Sequence, residues 1–510
     1  MNHLPSTLTW PLKVVTCSND ILLSLQVKFT TDVCPPAESV HQFYDDFDSH
    51  LWRSDHLLCK SAKTDFQLYQ NDQLIDTIKT ARPVQFWWHF SEGLLRSKLK
   101  KLTGLRAILP IASLDLLKTS FLLRNCDQKI VVRGSFTQVI GGSATHCYLT
   151  LEPLRGYQKE FDRAVNIIQA SVLDSVNDFG LKFLLLSTNS LPAQNKLPEK
   201  ISIDKTMEIE RAVRVMAVAM LNEAQRNVEG VISDIDTEFL HHYRVGFRKV
   251  RSLLALLKKA LPVTMIAHLR AELSIIAGKT NKLRDLDVFL LEQERYRLML
   301  PVGFENGLDE LYKLINSQRK REKNAVATYL ASEAYQTRIS VCLQALAEEP
   351  MFETTLAAKP VLAVVKKLLL KRYQKMLSMS RAINKQTTDE EIHQLRIEFK
   401  KLRYLIEFFV DLFPKKRVHK LLAEIKKVQT VLGDFNDYCV QIDFLTAYMD
   451  HSKIELTKAL SGLIAILHQK LIEQRITAEA ALVTFFTEEM TIEFNLQYGA
   501  ESMEKVGESV

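Results

Sequence analysis

The spacing of apolar side chains changes near residue 200. From Ile21 to Thr30 it alternates, with Leu23, Leu25, Val27 and Phe29 on one face and Ser24, Gln26, Lys28 and Thr30 on the other, which predicts a half-buried strand. TSFLLR (119–124), KIVVR (129–133) and HCYLTLE (146–152) alternate likewise, whereas PAESVHQFYDDF (36–47) and QKEFDRAVNIIQASVL (158–173) read as helices. Residues 10–186 are therefore expected to be α+β, with an antiparallel sheet carrying one apolar and one polar face. A polar stretch with two prolines and no period, STNSLPAQNKLPEK, marks a linker over 187–202. Beyond it, from Met207 to about Met490, strand signals vanish and segments rich in Leu, Ala, Lys and Glu predict an all-helical region. A short acidic tail, 486–510, follows.

The helical region repeats itself. HHYRVGFRKVRSLLALL (241–257) and HQLRIEFKKLRYLIEFF (393–409) align without a gap at an offset of 152. The same offset pairs Pro262 with Pro414, Leu269 with Leu421, and LRDLDV (283–288) with FNDYCV (435–440). A register held this long implies a duplicated unit, with copies at about 207–300 and 359–452. Leu240, Tyr243, Phe247, Val250, Leu254 and Leu257 recur every three or four positions, and Ile392, Leu395, Phe399, Leu402, Ile406 and Phe409 match them, so both segments should be packed helices.

The cations keep the same period. His241, Arg244, Arg248 and Arg251 fall in one narrow stripe at 100° per residue, as do His393, Arg396, Lys400 and Arg403. Each stripe borders the apolar face, with Val245 and Ile397 on its other side. Solvated positions on an amphipathic helix have little reason to keep their sign through duplication, yet all four did. A cation row beside packed apolar residues also costs desolvation unless anions compensate it, either as protein carboxylates in salt bridges or as an external ligand.

Composition favours the external anion. The chain of 510 residues carries 67 Lys and Arg against 60 Asp and Glu, a net +7 that hides its distribution. Residues 241–285 hold ten cations against two carboxylates and residues 361–430 hold seventeen against seven, so two patches carry +8 and +10 and the remainder of the chain is acidic. Further cations, Lys366, Lys367, Lys371, Arg372 and Lys375, precede the second stripe. A duplicated helical unit with one basic stripe per copy suits a linear polyanion with closely spaced charges. The scattered cysteines, seven and without a Cys-x-x-Cys pair, exclude a zinc ribbon or disulfide framework and suit a reducing compartment. The N-terminus lacks the basic and apolar regions of a signal peptide, and no uncharged stretch could cross a bilayer, so a soluble cytoplasmic protein is expected.

His-x-x-Arg-Val-x-x-Arg-Lys-x-Arg, followed some forty residues on by Arg-Asp-x-Asp-Val and then repeated, resembles the CHAD domain, the conserved-histidine α-helical domain, over 203–485. The resemblance implies two pseudo-symmetric four-helix bundles whose basic surfaces bind inorganic polyphosphate, with polyphosphate granules as a place of association. By position the binding residues would be His241, Arg244, Arg248, Lys249 and Arg251, and His393, Arg396, Lys400, Lys401 and Arg403. Lys28, Lys367, Lys371, Arg372 and Lys375 would be accessory phosphate contacts. Asp285 and Asp437 open apolar helical runs, so the expected role is an N-cap, the alternative being to orient the cation stripe. No His or carboxylate recurs at ligand spacing beside the stripes, and neither a metal nor another cofactor is expected there.

The first 200 residues resemble a CYTH domain, the triphosphate tunnel metalloenzyme fold, which implies an antiparallel barrel. That family opens with a strand Glu-x-Glu-x-Lys whose carboxylates hold a divalent metal. If the 21–30 strand is its counterpart, Ser24 and Gln26 replace both carboxylates and only Lys28 remains. Of the later Glu-rich strand only Glu152 is retained. Ser and Gln offer no anionic oxygen, so metal-dependent triphosphate hydrolysis should be lost and the domain should be a pseudoenzyme. Two other classes stay open: a divergent metal-dependent triphosphatase with ligands at other positions, and a nucleic-acid or protein-binding scaffold. Nucleic acid is disfavoured because the stripes hold no aromatic residue for base stacking apart from Tyr404.

Overall fold

Nine strands carry the N-terminal unit: β1 (Leu8–Leu12), β2 (Thr30–Val33), β3 (Ala37–Asp45), β4 (His56–Lys60), β5 (Asp65–Gln70), β6 (Gln73–Lys79), β7 (Leu109–Arg124), β8 (Ile130–Ile140) and β9 (His146–Pro153). The computed structural model describes residues 7–12, 18–61, 65–80, 82–140, 146–169, 179–188, 201–383, 387–449 and 454–499. The chain divides into two units, Met1–Leu197 and Pro198–Val510. Linker positions 189–200 and tail positions 500–510 lie outside the described residues.

All pairings in the sheet are antiparallel, in the order β1-β9-β8-β7-β3-β4-β5-β6, with β2 on the far half of the long β7. Helices α1 (Ser18–Gln26), α2 (His50–Arg53), α3 (Leu94–Thr103), α4 (Gln158–Gln169) and α5 (Leu181–Ser187) surround it. The alternation at 21–30 is not a strand. Ile21, Leu25 and Phe29 are buried while Leu23 and Val27 are exposed, a spacing of four that packs α1 and the turn after it against Phe121, Leu123, Phe161 and Val165. Leucines at every second position satisfy the strand template by chance. The opposite correction applies to 36–47, where β3 takes the place of the expected helix because β4 and β7 flank it and pair with its backbone. The remaining expected strands fall within β7, β8 and β9, and the helix expected from Gln158 is α4.

Among the described residues the Pro198–Val510 unit is helical apart from one bridge: α6 (Ile209–Gln225), α7 (Val228–Ile232), α8 (Thr237–Leu256), α9 (Val263–Gly278), α10 (Asn281–Leu291), α11 (Gln293–Met299), α12 (Glu305–Leu330), α13 (Glu333–Ala347), α14 (Val361–Arg381), α15 (Asp389–Phe408), α16 (Lys415–Thr446), α17 (Ile454–Phe485) and α18 (Glu488–Tyr498). The duplication governs element boundaries. Helices α14, α15 and α16 each begin 152 residues after α6, α8 and α9. Caps follow the same offset: Asp236 accepts from two amides at the start of α8, and Thr388 forms a capping box with Glu391 at the start of α15. Pro262 and Pro414 stand before α9 and α16.

The two copies meet about a pseudo-twofold axis. Ile209 N donates to Lys359 O at 3.0 Å, and Val361 N donates to Met207 O at 2.8 Å. Each bond maps onto the other under the offset, as an isologous contact requires. All twelve apolar residues of the two periodic faces are buried.

Helix α12 runs against α17 at a glycine. A Cβ on Gly307 would lie 2.3 Å from Glu455 O and 2.8 Å from Ala459 Cβ, whereas one on Gly433 in α16 would meet nothing within 4 Å. Gly307→Ala should therefore destabilise the helical unit by about 1–3 kcal/mol through overpacking. Gly433→Ala should stabilise it by up to about 1 kcal/mol through helix propensity. Thermal unfolding followed by circular dichroism at 222 nm checks both signs.

Candidate functional site

Packed α8 and α15 carry the two stripes, and their cations converge near the axis. Lys400 is half-buried, and burial, Arg396 and then Arg248 of the other copy pull its ammonium down to about 8, with Asp437 opposing. Burial also lowers Arg396, with Asp437 opposing and Arg248 adding to the fall. Arg248 and Lys400 are equivalent positions, so the twofold sets one copy's cation near its counterpart.

The remaining stripe residues are not alike. Arg244 Nη1 donates to Thr280 Oγ1 at 2.9 Å, Asn281 Oδ1 at 2.7 Å and Ala277 O at 3.4 Å, which ties α8 to the α9–α10 junction. Arg396 Nη2 lies 3.8 Å from Asp437 Oδ1, while its buried Nε has no hydrogen-bond partner. Arg403 Nε lies 3.4 Å from Glu407 Oε1, and its guanidinium stands over the Tyr404 ring at 5.3 Å. Arg248 and Arg251 are exposed and Lys249 is half-buried, and none of the three pairs with a carboxylate among the described residues.

The histidines differ in their neighbours. Burial and then the Arg284 guanidinium pull His241 down to about 4, so at neutral pH the expected cation is a neutral imidazole. His393 Nδ1 donates to Asn436 Oδ1 at 2.6 Å. Arg284 and Asn436 are equivalent positions in the two copies, and that one difference changes the neighbour each histidine meets.

Asp285 and Asp437 do not cap helices. Asp285 lies inside α10, preceded by Thr280 at the N-cap, and Asp437 lies deep inside α16. They face Arg244 and Arg396, so the stripe-orienting alternative is the one the geometry supports. With Arg248, both line a cavity of 620 Å³ whose walls include Glu292, Asp434 and Tyr438.

The accessory cations divide. Lys367 and Lys371 project from α14 into solvent. Arg372 Nη1, Lys375 Nζ and Lys401 Nζ reach the buried Glu398 at 2.6, 2.9 and 2.9 Å. Burial opposes ionisation of Glu398, but these three cations outweigh it and hold its pKa down at about 2. Periodicity did not single out Glu398, Arg284 or Asn436, although the 152-residue offset flags each as a site where the copies differ. Lys28 sits exposed in the turn after α1, away from the sheet's interior.

In the N-terminal unit, side chains from β1, β3, β5, β7, β8 and β9 surround a cavity of 1000 Å³. Ser39, Ser135, Thr137 and Thr150 line it, and Thr9 Oγ1 shares a hydrogen bond with Thr150 Oγ1 at 3.0 Å. Lys118 is its cation and His41, whose pKa burial lowers, its imidazole, and Glu152 and Asp72 are its carboxylates. Asp72 accepts from Lys182 N at 3.1 Å. The first strand of the sheet is β1, since 21–30 is helix and turn, and the Thr9 side chain that β1 contributes to the cavity is also neutral. This donor set does not fit a hard divalent cation, which needs several anionic oxygens. Among the described residues the grouping with metal-ligand spacing is Asp46, Asp48 and His50, outside this cavity, where Asp48 accepts from Arg106 Nε at 2.7 Å.

Glu398→Gln should lower the stability of the helical unit by on the order of 2 kcal/mol at neutral pH, less than a wholly buried pair because Lys375 and Lys401 are partly exposed. Because the folded pKa of Glu398 is depressed, its contribution is present above the ordinary glutamate pKa and disappears as pH falls towards about 2. Urea midpoints of wild type and variant should therefore converge between about pH 4.5 and about pH 2.

The family model for the CHAD domain matches residues 216–446. Solved structures to which the chain is similar include the CHAD domain from the plant Ricinus communis, at 22% identity over 56% of this chain and 95% of that one, with a TM-score of 0.47. PptA from Streptomyces chartreusis has 16% identity over 54% of this chain and 99% of that one, with a TM-score of 0.41. No curated protein matches the chain by sequence. Among the described residues no helix is long and apolar enough to cross a membrane. The nine-stranded N-terminal sheet around its polar cavity is consistent with a CYTH-like barrel, and residues 216–446 of the helical unit are a CHAD domain.

Proposed function

We propose that the helical unit binds inorganic polyphosphate, or another linear polyanion of closely spaced phosphates, along the two stripes of α8 and α15. One observation carries this reading: Lys400 is half-buried beside Arg396 and the other copy's Arg248, and burial together with these two guanidinium groups brings its ammonium down to about 8. Cations held only for solvation would diverge into water. Here Asp437 offsets part of the charge, and a phosphate chain supplies several further anions at once without sequence recognition. A nucleic-acid scaffold is less well supported, because Tyr404, the aromatic residue of the stripes, is buried and cannot stack on a base. The N-terminal unit is read as a pseudoenzyme, since the cavity's largely neutral lining does not suit a divalent metal. Purified protein with tripolyphosphate and Mg²⁺ or Mn²⁺ should release phosphate no faster than buffer. Turnover abolished by EDTA would establish the divergent triphosphatase instead.

Arg248 and Lys400 are better probes than Arg244 or Arg396, which also hold internal partners. The double variant Arg248→Ala, Lys400→Ala should weaken long-chain polyphosphate binding and flatten the slope of log affinity against log salt by about two, one for each lost cation. Its far-ultraviolet dichroism should not change. Unaltered affinity and slope would remove the stripe reading.

Binding should also weaken as pH rises through about 8, because Lys400 loses its proton there in the free protein and a bound phosphate raises its pKa. At about pH 8 titration should take up protons from buffer, and Lys400→Arg should abolish that uptake. Isothermal titration in two buffers of different ionisation enthalpy measures it. His241, with its pKa at about 4, adds no step near neutrality.

A further inference from the structure

The two copies are not equivalent where their stripes end. Beside α8 an open cavity of 810 Å³ is walled by Arg248, Arg251, Arg270, Arg372 and Lys401, and no carboxylate lines it. Its floor is made of small residues, Ser252 and Ala255 of α8 and Ala267, Ala271 and Ser274 of α9. Moving 152 residues along the chain gives the same place in the other copy, and there the space is occupied. Tyr404 stands at the position of Ser252 and is buried, Phe408 stands at Leu256 and stacks with Tyr404 at 6.0 Å, and Leu422 stands at Arg270.

The charges diverge in the same sense. Arg403 has Glu407 at 3.4 Å, but its counterpart Arg251 has Ala255 in the glutamate's place. Arg372 replaces what is Met220 in the first copy, and Glu398, which holds Arg372 and Lys401 at 2.6 and 2.9 Å, replaces Gly246. Glu398 thus stands behind two cations and fixes their position at the cavity. Arg248, Arg251 and Arg270 pair with no carboxylate among the described residues. One half of the duplication is plugged by Tyr404 and Phe408 and pairs Arg403 with Glu407, and the other is hollow and supplied with the additional guanidinium groups of Arg270 and Arg372.

Resting on the polyanion reading above, we infer that this cavity binds the terminus of a phosphate chain, giving the track a closed end. Chemistry separates a terminus from the interior of such a chain. An internal phosphate carries one ionised oxygen, while the terminal one carries a second and presents three oxygens in a compact group. A pocket with convergent guanidinium groups from α8, α9 and α14 matches that group, whereas a linear row of cations matches the interior. A free compact polyphosphate offers the same chemistry; because the linear trimer also carries more charge than the ring, the variant Ser252→Tyr, which fills the cavity without changing its charge, separates end recognition from recognition of charge alone.

The test uses the full chain with three probes: linear tripolyphosphate, cyclic trimetaphosphate, which has no ends, and long-chain polyphosphate. Wild type should bind the linear trimer at least about tenfold more tightly than the ring. Arg270→Leu, which copies the residue of the other half, and Ser252→Tyr, which copies its plug, should each reduce linear-trimer affinity about tenfold and leave the ring's affinity unchanged. Long-chain binding should fall by less than about threefold, because the stripes remain. Equal affinity of wild type for ring and linear trimer, or wild-type affinity of both variants for the linear trimer, would overturn end recognition. If long-chain binding persists and depends on Lys400, which does not line the cavity, that failure concerns the cavity alone. If long-chain polyphosphate does not bind wild type at all, the stripe reading falls and the cavity proposal with it.

Discussion

A side chain near a twofold axis is held against its own copy, and that constraint organises the helical unit. An isologous contact pairs a position with its equivalent, so a cation kept at such a position in both copies must meet a cation. Divergence after duplication could have relieved the repulsion by placing a carboxylate at either site. It placed Arg248 at one and Lys400 at the other, and Arg396 adds a third charge to the same region. The apolar faces below are fully buried and fix both helices, so the backbone positions that carry these cations cannot move apart. Repulsion is therefore built into the fold, and the cheapest relief is an anion from outside.

Away from the axis the copies were free to differ, and the differences have a direction. Around α6 and α8, Gly246 allows the helices to approach closely, with its Cβ position 2.7 Å from Ala224 Cβ. Around α14 and α15, Glu398 fills the equivalent position and gathers three cations. The first arrangement closes a seam by packing, and the second converts a seam into a charged wall. Arg284 against Asn436 is a smaller instance: burial and the guanidinium beside His241 keep it neutral, whereas the amide beside His393 accepts a hydrogen bond from it.

The helical half is largely legible in the sequence because its periodicity is redundant. Two copies of each helix report the same buried face, so the spacing alone assigns Tyr243 and Leu395 to the core. The N-terminal half has a single copy, and local pattern misleads twice there. Leu23 and Leu25 read as one strand face although the α1 helix buries only the second, and β3 is hidden because it carries few apolar residues and is held by backbone pairing with β4 and with β7, which lies far along the chain. What no local pattern supplies is charge state. His241 looks like Arg244 in a stripe, but burial and a residue 43 positions away make it neutral. Asp285 and Asp437 look like helix starts because helix boundaries are the weakest part of sequence reading, and α16 runs without interruption through the junction that separates α9 from α10 in the first copy.

Lys400 also separates the binding role from any structural one by the sign of its pH dependence. Its folded pKa of about 8 lies below the ordinary lysine value of 10.5, so between those limits the unfolded chain holds more protons than the folded one. Stability attributable to this group therefore rises with pH across that window. Anion binding, which needs the proton, falls across the same window. A lysine retained for structure would gain from losing its proton and would be better replaced by an apolar side chain. The position opposite it carries a second cation, Arg248, and Asp437 offsets only part of the charge, so the free protein keeps an imbalance that the proposed anion would relieve.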